Sequence, residues 1–214
     1  MRTPIRRQLS ALAVIMLAAA SAHAQPPVPG GRMRIVLLVD SSQAVAPMLT
    51  HFRAGLNSFL DALPGDPEIT FITTGGQLRV RVQPTSDRGR LRAAATGFSA
   101  DGGGNVLLDA LLESDKRFLR NAEDRRSVFV ILTTDAGETT TSQAVAPFNR
   151  FVTDFLKRNG RAHAVIVGGR NRGITSDLVE NFVDNTNGFR DTIVIANALP
   201  KVMEKVAAYV AADQ

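Results

Sequence analysis

Residues 40–44 read Asp-Ser-Ser-Gln-Ala, and a second aspartate, Asp135, ends another apolar run. Two carboxylates with hydroxyls on neighbouring loops are hard oxygen donors. They suit Mg²⁺, which wants an octahedron of oxygens and keeps several of its waters. A plainer alternative is that Asp40 and Asp135 cap adjacent helices or accept hydrogen bonds from loop amides. Nucleophilic chemistry has less to draw on. There is no Gly-x-Ser-x-Gly elbow, and no histidine is placed by motif to activate Ser41 or Ser42. His51 falls in a helical stretch and His163 at the start of a strand, so they do not read as a metal pair. The Gly-Gly-Arg-Asn-Arg-Gly of 168–173 is neither a P-loop nor a dinucleotide fingerprint and reads as a glycine-rich turn.

The elements that must position the acids follow from periodicity. Residues 34–39 are an apolar run without polar alternation, as expected of a strand covered on both faces. A polar cluster just beyond the carboxyl end of such a strand lies where open α/β sheets place their ligands. Met48, Phe52, Leu56, Phe59, Leu60 and Leu63 recur at helical steps until Pro64-Gly65. Residues 68–74 and 78–83 are strands joined through Gly75-Gly76, the second alternating strictly, as near a sheet edge. A short helix is expected over 86–95. The loop 100–105, Ala-Asp-Gly-Gly-Gly-Asn, opens a helix with Leu108, Leu111, Leu112, Phe118 and Leu119 inward.

Residues 127–134 repeat the opening pattern, an apolar strand ending in an acid. Val145, Phe148, Val152 and Phe155 mark a helix, and 162–167 a strand. Phe148, Phe151 and Phe155 read as core. Leu178, Val179, Phe182 and Val183 mark a helix stopping at Gly188. The last strand is expected over 192–196, with Asn197 capping a final helix that tolerates Pro200 in its first turn. This alternation predicts an α/β fold: a doubly wound, mainly parallel sheet of about six strands with helices on both faces.

From about Arg34 to the end, the element order and the polar clusters resemble the von Willebrand factor type A domain. Members of that family carry Asp-x-Ser-x-Ser after the first strand, Gly-Gly-Thr before a central helix and a Thr-Asp-Gly-like turn after the fourth strand. Together these form a metal-ion-dependent adhesion site, which holds Mg²⁺ or Mn²⁺ and takes an acidic side chain of a partner. On that resemblance Asp40 and Ser42 match the first motif, with Ala44 at its last serine. Asp135 matches the third, with Ala136 where glycine is usual and Gly137 one later. The threonine falls on Gly104 counting from the glycines, or on Asn105 counting back from Leu108-Asp109-Ala110-Leu111. Asn105 is preferred because its amide oxygen can ligate.

The resemblance therefore implies metal ligands Asp40, Ser42, Asn105 and Asp135, with Ser41, Gln43, Gly103 and Gly104 facing the partner. It implies an interaction module, not an enzyme, that binds a protein partner with a weak Mg²⁺ or Mn²⁺ site. The alternative from another class is a metal-assisted hydrolase or phosphoryl-transfer enzyme using Asp40.

The chain begins with Arg2, Arg6 and Arg7, runs apolar over 9–20, and carries the small-x-small sequence Ala22-His23-Ala24. This reads as a secretory signal over 1–24, with 25–32 a Pro/Gly linker and 33–214 the domain. The expected location is periplasmic or secreted, with no integral membrane segment after signal removal. The sequence after the paired arginines matches a twin-arginine signal poorly, so the general secretory route is expected. There is no cysteine, so the fold is held by packing alone. The leader holds three of the 25 basic residues; the remaining 22 nearly balance 20 acidic ones. That balance removes the electrostatic argument for nucleic acid.

Export is directly testable. Mass spectrometry of the protein from cells should find an N-terminus at Gln25, free or cyclised; an intact Met1 in soluble cytosolic material would contradict it.

Overall fold

A computed structural model describes residues 33–122, 124–139, 142–168 and 173–213. The proposed leader and linker, and residues 169–172 of the glycine-rich turn, lie outside the described residues. Six strands form one sheet: β1 Arg34–Val39, β2 Glu68–Thr73, β3 Arg79–Thr85, β4 Ser127–Thr134, β5 Arg161–Val167 and β6 Arg190–Ile193. Their order is β3-β2-β1-β4-β5-β6, and every pairing is parallel except the edge pair β2–β3. The expected doubly wound α/β sheet is what forms. β3 accommodates Pro84 because an edge strand has one free side.

The helices are α1 Leu49–Ala62, α2 Arg88–Gly97, α3 Leu107–Ser114, α4 Val145–Lys157, α5 Ile174–Asn185 and α6 Leu199–Ala212. α1, α2 and α6 cover one face, where Phe52, Leu56, Leu91 and Met203 pack on Ile35, Leu37, Val128 and Val130. α3, α4 and α5 cover the other, on Val36, Leu38, Phe129 and Ile131. The period-two alternation of a strand thus divides β4 between two cores, and all eight of its residues are buried. On the second face Phe129, Phe148, Phe151, Phe155 and Phe182 pack ring to ring, with centroids 5.2 Å apart for Phe151–Phe182 and 5.4 Å for Phe129–Phe155. Each such pair adds about 0.5–1.5 kcal/mol beyond its buried area.

Four expectations shift. The final strand lies at Arg190–Ile193, two residues early, and Val194 and Ile195 are 74% and 64% exposed. The last ladder bond is Gly168 N–H to Ile193 O, after which the chain turns toward α6. Asn197 sits inside a 3-10 turn, Ala196–Ala198, and gives α6 no side-chain cap. The short helix begins at Arg88, where Asp87 accepts a capping bond from Arg90 N–H at 3.1 Å. In α4 the buried stripe runs Phe148, Phe151, Phe155, with Val152 only partly buried. No helix among the described residues is long and apolar enough to cross a membrane.

Ile131 is completely buried among α3–α5 side chains. Ile131→Asp places an unpaired charge there, at a cost comparable to the whole ~5–15 kcal/mol margin of a domain. Circular dichroism should show no cooperative melt for this variant; an unchanged melting temperature would mean that β4 is not central.

Candidate functional site

β1 and β4 are parallel neighbours, so the chain leaves both at the same end of the sheet. From β1 the connection runs through α1 to β2 on one side, whereas β4 lies on the other. This is the topological switch point, where crossovers diverge and leave a crevice. Asp40 and Asp135 stand on its two walls.

Asp40 is fully buried. Its Oδ1 accepts from Ser42 N–H at 2.7 Å, closing an Asx turn. Its Oδ2 accepts from Thr134 N–H at 3.2 Å and from Thr134 Oγ1 at 2.6 Å. Among the described residues no ion pair reaches this carboxylate. Beside it Ser42 Oγ is buried and has no hydrogen-bond partner. A Cβ built on Gly137 would stand 3.7 Å from Ser42 Oγ and 3.8 Å from Ala44 Cβ, so the turn after β4 packs over the Asp40 loop.

Asn105 is brought to the same edge but serves the frame. Its Oδ1 accepts from Thr74 Oγ1 at 2.6 Å and its Nδ2 donates to Thr133 Oγ1 at 2.9 Å. Thr133 Oγ1 donates in turn to Thr134 O, which leaves it to accept from the amide nitrogen. The oxygen expected to ligate therefore already holds the β2 end to the β4 end. Its backbone does the same: Asn105 N–H donates to Gly137 O, and Thr139 N–H to Asn105 O.

The residues expected to face a partner divide. Gln43 and Gly103 are exposed and Gly104 is half-buried. Gln43 N–H donates to Gly103 O at 3.1 Å, and Gly103 holds φ +71, a backbone conformation that suits glycine. Ser41, by contrast, is buried: its hydroxyl donates to Asp101 Oδ2 at 2.7 Å and accepts from Gly75 N–H at 2.9 Å. It is a tie between loops, not a contact surface.

Asp101 is the site residue that the motif reading passed over. It receives Arg81 Nη2 on both oxygens at 2.6 and 2.5 Å, Arg79 Nη1 at 3.0 Å and Thr73 Oγ1 at 3.3 Å. The signal was the alternation of Arg79 and Arg81 on one face of an edge strand, which needs an acid opposite. Burial pulls the Asp101 carboxyl upward. The hydrogen bonds from Arg81 and Ser41, with the charges of Arg81 and Arg79, outweigh it and hold it below its ordinary value of 3.8.

Asp135 is half-buried and faces elsewhere. It lines a cleft of ≈ 190 Å³ with Thr134, Gly137, Glu138, Gly173, Thr175 and Ser176. Gly168 has to be glycine here, because a Cβ on it would lie 1.9 Å from Asp135 Cγ. Asp40 and Ser42 do not line this cleft, so the two acids share an edge without sharing one opening. Of the described histidines, His51 is exposed on α1. His163 is buried, bonding Asp213 Oδ2 through Nε2 and accepting Phe189 N–H at Nδ1.

Asp101 carries a pH prediction. A carboxyl depressed by folding adds stability above its unfolded value, and the gain is lost as pH falls through the folded one. The stability gap between the wild type and Asp101→Asn should be constant at neutral pH and shrink only below about 3.8. Urea unfolding across pH measures it, and a gap already closing near pH 6 would show that other groups dominate.

Residues 35–138 match the von Willebrand factor type A domain family. No curated protein matches the chain. Among solved structures, a von Willebrand factor type A protein from Catenulispora acidiphila superposes with TM-score 0.71 at 16% identity, over 85% of this chain and 43% of that one. This chain therefore spans less than half of that protein's length. The conserved hypothetical protein BatB from Bacteroides thetaiotaomicron gives 0.65 at 12% identity, over 85% of this chain and 100% of that one. Proximal thread matrix protein 1 from the mussel byssus, solved with a zinc-occupied MIDAS motif, gives 0.67 at 16% identity, over 85% and 46%. Residues 35–138 belong to the von Willebrand factor type A family, and the described sheet has the fold of its solved members.

Proposed function

We propose that the chain is an exported interaction module whose protein partner docks on the loop edge around Asp40, Gln43, Gly103 and Asp135. The observation that carries this reading is a fully buried carboxylate without a cationic partner among the described residues, beside an unpartnered buried hydroxyl on Ser42. Buried charge is costly unless a counter-charge arrives. The basic start, apolar run and Ala22-His23-Ala24 support export.

The donor set fits a weakly held hard divalent ion. Asp40 and Ser42 would hold it, and Asp135, which opens on the neighbouring cleft, would reach it only through water. Asn105 is engaged by Thr74 and Thr133, and Ala44 brings no oxygen. When bound, Mg²⁺ or Mn²⁺ would supply a cationic anchor for an acidic side chain of the partner. The zinc-occupied motif of the byssus protein supports a metal at this place in the fold. The Asx turn keeps Asp40 facing Ser42, and Thr134 holds its other oxygen. Gln43 and Gly103 present the exposed rim. The alternative, a metal-assisted hydrolase or phosphoryl-transfer enzyme using Asp40, would find no base in His163, which is committed to Asp213 and Phe189.

Titration calorimetry with Mg²⁺ and Mn²⁺ should give dissociation constants of ~10⁻³ M or weaker, the weak end of oxygen sites. Asp40→Asn should remove the heat, and Ala44→Ser should tighten binding. Micromolar affinity would show that the altered positions do not matter, and no response to Ala44→Ser that the loop does not approach the ion. A pull-down from envelope extract with Mg²⁺ and again with chelator tests the partner, and a panel of esterase and phosphatase substrates tests the alternative.

A further inference from the structure

At the opposite end of the sheet, roughly 20 Å from Asp40 by the length of β4, three arginines converge. Arg120, Arg125 and Arg158 line a cleft of ≈ 190 Å³ with Leu119, Ala122 and Ser127, and no carboxylate is among these lining residues. They arrive from three elements: the turn after α3, the lead into β4, and the C-cap of α4.

The charge around the cleft is unevenly met. Asp115, its side chain 1% exposed, is shared between Arg158 Nη2 at 2.7 Å and Arg120 Nε at 3.6 Å. Glu68 is likewise shared between Arg34, at 3.0 Å, and Arg125. Asp124, 3.6 Å from Arg125 Nε, is 80% exposed and so well screened. Among the described residues two sheltered carboxylates thus serve four guanidiniums.

Arg158 shows the deficit at one atom. Its Nη2 bonds Asp115, its Nε donates to Asp154 O at 3.3 Å, and its plane lies over the Phe155 ring at 5.5 Å. Its Nη1 is buried and, among the described residues, has no acceptor. A buried donor without a partner in a native fold calls for a specific explanation, an ion being one. Ser127 Oγ makes only a long 3.4 Å bond to Leu119 O.

The backbone below is unusual too. After α3 the chain widens into a single π turn, Asp115–Leu119, closed by Arg120 N–H to Asp115 O at 2.8 Å. Such turns are rare and recur at functional sites. Here the turn sends Asp115 inward and leaves Arg120 at the cleft.

We infer that this cleft binds a phosphate-type oxyanion. Guanidinium forks pair two N–H groups with two oxygens. Three guanidiniums from three elements, with Arg158 Nη1 still without an acceptor among the described residues, match the several oxygens of a tetrahedral group better than the two of a planar carboxylate. Asp115 is the positioning residue that aims Arg158, through its 2.7 Å bond to Nη2. The inference is independent of the loop edge, and either can fail without the other.

The test titrates inorganic phosphate into the purified chain by calorimetry, against chloride at matched ionic strength. Saturable binding above chloride is expected, weakened by roughly tenfold in Arg120→Gln. That side chain is 54% exposed, so little packing goes with it, and its melt is recorded alongside. Arg158→Gln should abolish binding, with its melt recorded; if it unfolds, Arg120→Gln decides. Flotation with phosphatidylglycerol and with phosphatidylcholine vesicles separates the sources. Retention on the anionic vesicles alone, competed by phosphate, assigns a lipid headgroup, and phosphate binding without retention assigns a free phosphorylated ligand. Phosphate heats no greater than chloride, or an affinity unchanged in Arg120→Gln, would overturn the inference.

Discussion

The carboxylate of Asp40 is out of reach of water, and the loop edge is built around keeping it satisfied. Its three hydrogen bonds come from two walls, the turn after β1 and the end of β4. Asp40 N–H also donates to Leu132 O at 2.8 Å, continuing the β1–β4 ladder one residue beyond the strand. The carboxylate therefore locks the register of the two central strands where the crossovers diverge. The cores on both faces make this affordable: β1 and β4 lie under helices on each side, and burial of their apolar residues offsets the polar cost at their ends.

A second constraint reaches the edge from outside. Asp101 joins Arg79 and Arg81 on the edge strand β3 to Ser41 in the central loop. Ser41 also receives Gly75 N–H, and Asp101 N–H donates to Ser41 O at 2.7 Å. Asn105 performs the parallel task between Thr74 and Thr133. Two polar braces thus span the sheet end, one of charged groups and one of neutral amides and hydroxyls. What they leave outward is the rim of Gln43 and Gly103. Preorganisation of this kind lowers the ordering cost of docking a partner.

The uninterrupted apolar runs before Asp40 and Asp135 and the helical stripes between them were enough to read the sheet, its winding and the placement of both acids. Those signals come from burial on two faces, which composition records directly. The end of the last strand was misplaced because Val194 and Ile195 are apolar yet exposed, while the true strand begins at the polar Arg190 on an edge that tolerates it. At the site, motif spacing located Asp40, Ser42, Asn105 and Asp135 on the same edge, but not which way each side chain turns. Ser41 and Asn105 looked like donors to a ligand. Their hydroxyl and amide are instead taken by Asp101, Thr74 and Thr133, residues more than 25 positions away from them in the chain. Long-range side-chain pairing leaves no local pattern, and Asp101 was overlooked for the same reason.

Charge is balanced over the domain and unbalanced at both ends of its sheet. A near-equal count of acids and bases argues against a nucleic acid partner, yet says nothing of where each charge is sheltered. At the carboxyl ends of the strands Asp40 is buried without a cation among the described residues. At the amino ends Arg158 keeps a buried Nη1 without an acceptor while Asp115 and Glu68 are each divided between two arginines. Among the described residues no ion pair reaches Asp40 and no acceptor reaches Arg158 Nη1. The proposed cation at one end and the proposed oxyanion at the other answer these two imbalances, and the sheet between them keeps the two requirements apart.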